Sequence, residues 1–510
     1  MPPVFARQAR AWLLVAALGM LPVVVYWNTI WTHFGFRDDY SILREAHQEP
    51  GKVIGFCASQ ARPIYGWMLE RSMARVDSID QLAWLRLVSA LCIGVAATLF
   101  WWCLVRFSGW KTWPAALAAG LLAVVPSSQV LTSWSICWPH SLAVVFGLIG
   151  FALSEAAWNS DRLGARLAFG TGAWLCLLVS ALTYQSNGLF FLVLWGAVFL
   201  SKLEKPIAEL RGWTVHHAGM LSTSFLAAYG FMLAAYHLGW FWESDRVAFE
   251  PDLVGKWVWF ARDVLPNALA LLAIDDIQGR TKPLYELAWV LSTGLLLLGG
   301  VLLGRRLGVV RMLLWFAAFL ALGTATYGIS IIASERWATY RTIYPLVGIV
   351  IVFLVASLAE IGRRWPRWGE RVGLTALTAL LVAGVFVARQ QAYSLIAVPQ
   401  QEELAVIENA VGQVDPCRPQ RVFFITPTLR DAPAPLVYAD EFGSLSTDSD
   451  WAAIEMLKDV LQAKSSGKAD FGSKWNMVCG RHAPPALKGF DRFIDLRRIR
   501  EFASGKHAKL

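Results

Sequence analysis

Charge is scarce in this chain: Asp, Glu, Lys and Arg make up 16% of 510 residues, against 56% hydrophobic ones. So apolar a composition excludes a solvated, disordered polypeptide. The sequence lacks a repeat of fixed period, a low-complexity run and a Gly/Ser linker, so the membrane part reads as one body with a tail docked on it. Cysteines number only seven, and no Cys/His spacing fits a zinc site. Cys92, Cys103, Cys137 and Cys176 lie in or beside apolar runs, where a free thiol acts as a small apolar group, and Cys57 stands alone. Long apolar runs are abundant. Mean hydropathy is +0.46, and several runs reach the roughly 20 residues a helix needs to cross a hydrocarbon core. The chain reads as a polytopic α-helical membrane protein.

Eleven spans are expected, near residues 11 to 31, 82 to 104, 113 to 131, 136 to 156, 167 to 183, 187 to 201, 213 to 238, 284 to 304, 311 to 332, 343 to 361 and 372 to 390. The net charge of +9 comes from short basic clusters between spans, a topogenic pattern that argues against a nucleic-acid partner. Arg7 and Arg10, Arg106 and Lys111, Arg162 and Arg166, Lys202, Lys205 and Arg211, Arg305, Arg306 and Arg311, and Arg363 to Arg371 all fall on one side. The positive-inside rule makes that side cytoplasmic. The connections around 132 to 135 and 184 to 186 carry no charge and lie outside. The first span follows a basic start without a small-residue cleavage site and reads as a retained signal anchor.

Two domains follow. Residues 1–390 form the transmembrane part with exterior loops at 32–81 and 239–283, and 391–510 form a small exterior α/β domain. In the latter, 401 to 413 and 451 to 463 have helical character, while Arg421 to Thr426 and Phe490 to Leu496 read as strands. It shows no catalytic motif and reads as a lid or acceptor-binding accessory. Its two cysteines, Cys417 and Cys479, are expected to form a disulfide in an oxidising exterior.

The first loop opens with Asp38 and Asp39 in the run Phe36-Arg37-Asp38-Asp39-Tyr40, where the chain leaves the membrane. Adjacent carboxylates there suit proton removal or metal binding on a lipid-borne substrate. On an extended segment they point to opposite sides and divide the roles; the alternative is a helix cap for Ser41 to Ala46. Downstream, Gln60-Ala61-Arg62-Pro63-Ile64 leads into an amphipathic run to Val76. Arg62, Arg71 and Arg75 can meet a lipid phosphate or snorkel to water.

An acidic pair after the first span, an Arg-Pro element behind it and a long series of spans resemble the GT-C glycosyltransferases, especially the Gtr-type glucosyltransferases that modify O-antigen. Gln60 to Ile64 is similar to that family's Gly-Arg-Pro element, with Ala61 in place of glycine. Trp134-Ser135-Ile136-Cys137-Trp138-Pro139-His140 and Thr183-Tyr184-Gln185-Ser186 resemble its aromatic and Tyr-Gln elements. The resemblance implies a bacterial inner-membrane enzyme with a periplasmic C-terminal domain. It also implies a polyprenyl-phosphate-linked sugar donor, an exterior glycan, lipid or protein acceptor, and transfer with inversion.

Such a transfer needs a carboxylate for the acceptor's proton and cations for the departing phosphate. Asp38 takes the first role by its place in the family-like motif. Asp39 orients it, binds acceptor or joins it in holding a divalent metal ion; the cofactor is otherwise unknown. For the phosphate, the turn Ser334 to Pro345 offers Arg336 and Arg341, with Arg341 preferred because an exterior Arg beside a span opposes the charge bias. The alternative is a salt bridge from Arg341 to Glu335. His140, Tyr184 and Gln185 can bond sugar or phosphate, or serve only packing. In the second loop Trp240, Trp242, Trp257 and Trp259 suit interfacial anchoring, with sugar stacking as the alternative, and Ala268 to Ile274 reads as a short re-entrant or surface helix carrying Asp275 and Asp276 toward the cavity. A lipid-linked oligosaccharide ligase or polymerase shares these features. A transporter or flippase of lipid-linked sugars would instead need ionisable residues near midplane, where these spans are almost free of charge.

Overall fold

The computed structural model describes residues 3–365, 367–412, 418, 420–465, 475–482 and 489–499, with side chains for all of these except 3–10 and 498. All eleven expected spans correspond to apolar helices. Eight are long enough to cross a membrane unaided: Ile79–Phe107, Ser135–Trp158, Leu163–Gly188, Ile207–His237, Lys282–Leu307, Val309–Thr326, Tyr344–Gly362 and Gly369–Gly412. The first and sixth spans are shorter apolar helices, Ala11–Val25 and Phe190–Lys202. The third is broken into Thr112–Leu122 and Pro126–Ser133, bent by 54°. Pro126 explains the break: it lacks an N–H and forces Val125 into extended backbone (ψ 160°).

Spans three, six and ten are the most deeply enclosed, and their apolar side chains form one continuous core. Near the expected exterior end of span two, away from midplane, lies the fully buried Arg86. Its guanidinium donates to the carbonyls of Ile30 (3.1 Å), Thr32 (2.8 Å) and Phe34 (2.9 Å) and lies over the Phe34 ring. These bonds fasten the end of the first span to the second.

A second buried polar group lies at the basic ends of spans four and seven. The Glu155 carboxylate accepts from His217 Nε2 (2.9 Å), Trp213 Nε1 (2.7 Å) and Asn159 Nδ2 (3.2 Å), and Ser154 Oγ sits 2.9 Å from His217 Nδ1.

The loop after the first span holds the helices Asp38–Gln48, Lys52–Ser59 and Pro63–Met73; the Asp38-Asp39 step is helical rather than extended, and helix is present, as considered, over Ser41 to Ala46 and in the amphipathic run after Pro63. In the second loop the helix Leu265–Leu269 stops where Leu271 turns left-handed (φ 53°), so the surface helix expected over 268 to 274 does not form. Asp276 is turned instead toward the C-terminal region and accepts from the N–H groups of Val437, Gln278 and Arg280.

The last span continues through a π-helical turn into Val398–Gly412. Beyond it, β1 (Arg421–Ile425) lies between β2 (Asn476–Gly480) and β3 (Arg492–Asp495) in a parallel sheet, with Phe424 beside Cys479 and Ile494. The helix Asp450–Lys464 crosses between β1 and β2. Strand β2 is the element sequence patterning missed. Cys479 in it has a free thiol 3.1 Å from the Asp450 carbonyl; Cys417, its expected partner, lies outside the described residues.

Candidate functional site

Asp38 opens the helix Asp38–Gln48 behind Arg37, whose backbone is left-handed (φ 47°). Partly exposed, Asp38 has no donor on its carboxylate among the described residues. Its surroundings raise its pKa: desolvation lifts it, and the charges of Arg341, Arg37 and Arg246 offset part of that rise. Asp39 is wholly buried and fully engaged, one oxygen accepting the Phe36 N–H (2.9 Å) and the other the Ile136 N–H (3.1 Å). The two carboxylates are placed differently, as expected, but the cause is a helix turn rather than an extended strand.

Asp39 ties this turn to the start of span four. Tyr65 reinforces the tie from the other side, its hydroxyl donating to the Ile136 carbonyl (3.2 Å). Four residues on, His140 stacks between Tyr65 and Tyr184, with ring centroids 5.0 and 3.6 Å away. Tyr184 sits at a break in span five (φ −154°, ψ 103°), which turns its ring inward. The Arg62 guanidinium lies 4.6 Å from the centre of that ring. Arg341 lies 4.5 Å from the centre of the Trp134 ring, and the charges of both arginines act on His140.

Gln185 supports this arrangement from behind. Its Nε2 donates to the Ala61 carbonyl (2.7 Å), while the Ala61 N–H bonds the Tyr236 hydroxyl (3.0 Å). Ala61 has φ 60°, a conformation that favours glycine. The residue that departs from the Gly-Arg-Pro element therefore still adopts the backbone such a glycine would take.

Several buried nitrogens here have no hydrogen bond among the described residues: Arg62 Nε, Arg341 Nη1, Trp134 Nε1 and both ring nitrogens of His140, one of which is a donor in the neutral ring. An unbonded polar atom in the interior costs about 1–3 kcal/mol. Five converging on one region, opposite a carboxylate, suit an anionic group with several oxygens.

The chain thus brings together Asp38, Arg62, His140, Tyr184, Gln185 and Arg341. Arg336 is directed elsewhere, half-exposed and paired with Asp252 (3.4 Å) and Glu250 (3.7 Å). Glu335 pairs with Arg246 (3.2 Å), not with Arg341. The acidic pair does not fit a shared metal ion: Asp39 spends both oxygens on backbone N–H groups, and Asp38 faces guanidinium groups. No cluster of three or more His, Cys, Asp or Glu suited to a metal occurs among the described residues.

Residues missed in the sequence are Arg37, Tyr65, Asp440 and Glu441. Arg37 was open to the argument that selected Arg341, since it too is an exterior arginine close to a span. Its guanidinium pairs with Asp440 (3.2 Å) and Asp448 (3.0 Å) of the C-terminal region.

No family model and no curated protein sequence matches the chain. Among solved structures it is similar to the oligosaccharyltransferase AglB from Archaeoglobus fulgidus, in complex with an inhibitory peptide and a dolichol-phosphate. The identity is 13% and the TM-score 0.45, over 89% of this chain and 64% of that one. It is also similar to ArnT from Cupriavidus metallidurans. In the form bound to undecaprenyl phosphate, identity is 13% and TM-score 0.44, over 91% of this chain and 89% of that one; in the apo state they are 12% and 0.46, over 93% and 90%.

Proposed function

We propose that the protein is a membrane glycosyltransferase that moves a sugar from a polyprenyl-phosphate-linked donor to an acceptor hydroxyl. The observation that carries this reading is the donor-free carboxylate of Asp38, on which the charge of Arg341 acts, together with a cluster in which buried nitrogens of Arg62, His140 and Arg341 have no hydrogen bond among the described residues. In the reaction, Asp38 takes the acceptor's proton as the acceptor oxygen bonds the anomeric carbon. The bond from that carbon to the donor phosphate oxygen breaks, and the phosphate keeps the electron pair. Charge growing on the phosphate is stabilised by Arg62 and Arg341, with His140 supplying an N–H. Attack opposite the leaving phosphate inverts the anomeric carbon, and Asp38 afterwards releases its proton to water.

The basic clusters make the opposite face cytoplasmic, so transfer takes place outside the cytoplasmic membrane, on the face that carries the C-terminal domain. There the acceptor is a cell-surface glycan such as O-antigen, a lipid or a protein. Lipid extracted with the purified protein tests the donor. A polyprenyl-phosphate monosaccharide is expected, and a lipid-linked oligosaccharide would move the assignment to a ligase or polymerase. Bulk phospholipid alone, with no transfer from synthetic polyprenyl-phosphate sugars, would overturn it.

A further inference from the structure

The carboxylate and the cations facing it come from distant parts of the chain, and one short turn of the C-terminal region touches the backbone of both. Between Tyr438 and Gly443 the chain reverses, closed by the Tyr438 N–H on the Phe442 carbonyl (2.7 Å). Asp440 and Gly443 both have φ 66°. A Cβ at Gly443 would lie 2.0 Å from the Leu436 carbonyl oxygen, so the turn closes this tightly only around glycine.

Two carboxylates leave the turn in different directions. Asp440 pairs with Arg37 Nη1 (3.2 Å) and accepts from Trp337 Nε1 (2.7 Å). Glu441 is fully buried, and its two oxygens accept the N–H groups of Tyr340 (2.7 Å) and Arg341 (3.2 Å). Tyr438 adds a third hold, its hydroxyl donating to the Ala338 carbonyl. On the other side, the Arg37 N–H donates to Ser446 Oγ (2.8 Å), and Arg37 immediately precedes Asp38. The segment 438–446 therefore fixes the backbone bearing Asp38 and the backbone bearing Arg341.

We infer that Asp440 and Glu441 are positioning residues that set the gap between the base and the phosphate clamp, which makes the C-terminal region part of the reacting machinery. This rests on the roles of Asp38 and Arg341 proposed above. Neither carboxylate touches substrate. Glu441 acts through two backbone N–H groups, which require two acceptor oxygens; glutamine offers one. Because a misplacement of about 1 Å can cost on the order of 10²-fold in rate, the loss of one such bond is enough to matter.

The test uses full-length protein in lipid nanodiscs, with undecaprenyl phosphate as probe and transfer from the polyprenyl-phosphate sugar as the second readout. Glu441→Gln is expected to weaken undecaprenyl phosphate binding about tenfold and kcat/KM about 10²-fold, with the thermal midpoint close to wild type. In an Arg341→Lys background, itself weakened, the same change is expected to cost less than about twofold, because the clamp it positions is already impaired. A purely structural role would give equal losses in both backgrounds, and that result overturns the inference. If Arg341→Lys weakens binding while Glu441→Gln leaves it unchanged, positioning fails and the transferase reading stands. Should wild type not bind undecaprenyl phosphate, or Arg341→Lys leave binding intact, the clamp assignment falls and the inference with it. Glu441→Asp, which keeps both oxygens on a shorter stem, carries the test if the glutamine variant does not fold.

Discussion

At the basic ends of spans four and seven, Glu155, His217, Trp213 and Ser154 make a polar cluster inside the bundle. At the other end of span four, His140, Tyr65, Tyr184, Arg62 and Arg341 make another, again around a buried histidine. In the first, each histidine and carboxylate partner is met: Glu155 holds three donors and His217 is bonded at both nitrogens. In the second, both nitrogens of His140 and one nitrogen of each arginine are left unbonded. Buried polar groups are normally satisfied, so the first cluster is complete as a brace, whereas the second is left open, as the proposed phosphate site requires. Residue type alone does not separate a brace from a site; the tally of satisfied atoms does.

Substitutions can break or sharpen this contrast. The largest expected effect is on the open side: Asp38→Asn should cut transfer by about 10²–10⁴-fold while undecaprenyl phosphate binding persists. Transfer within a fewfold of wild type would show that the base lies elsewhere. On the closed side, Glu155→Ala should lower stability by about 3–5 kcal/mol, read from denaturation in detergent, with the folded fraction keeping its undecaprenyl phosphate affinity. A selective loss of binding would erase the distinction between the clusters.

Arg62→Ala should do the reverse. Its Nε has no bond to lose, so stability stays nearly constant while undecaprenyl phosphate binding falls by about 1.5–3 kcal/mol, the worth of a hydrogen bond to a charged group.

Titration sharpens the contrast further. Asp38 works ionised and burial raises its pKa, so kcat/KM should climb as pH rises through that raised value. Burial also raises Asp39, Glu403 and Glu441, each to about 7. Such carboxyls hold their protons more tightly folded than unfolded, so folding stability falls as pH rises from about 4 to about 7 and levels above. Rising pH should therefore raise activity and lower the thermal midpoint; curves that rise together would sink the assignment. The smallest effect is at the rear support, where Ala61→Gly should stabilise the fold by about 1 kcal/mol or less, relief of left-handed strain exceeding the added freedom of the unfolded chain.

The spans were legible because apolar length is a local property. Even the break in the third is announced by Pro126. Asp38, Arg62, His140, Tyr184, Gln185 and Arg341 could be grouped because alternation of basic loops assigns sides to segments far apart in sequence. The same reasoning did not discriminate within a side: Arg336 and Arg341 are five residues apart, yet one faces Asp252 and the other Trp134. Asp440 and Glu441 were invisible for a different reason. Their partners, Arg37 and Arg341, lie far away along the chain, and no periodicity encodes such a pairing. Strand β2 was missed because its burial is only partial, which weakens the apolar signature of a strand.

One consequence follows from the last span. Gly369–Gly412 runs for 44 residues, about 66 Å of helix, against a hydrocarbon core of about 30 Å. It is a mast rooted in lipid, and its upper end is lashed to Ser446 and Thr447 through Glu403, beside the segment that grips Arg37. A tilt of the root, as a thinner or thicker bilayer demands, is therefore carried along the helix to Ser446 and Thr447 rather than absorbed in a loop.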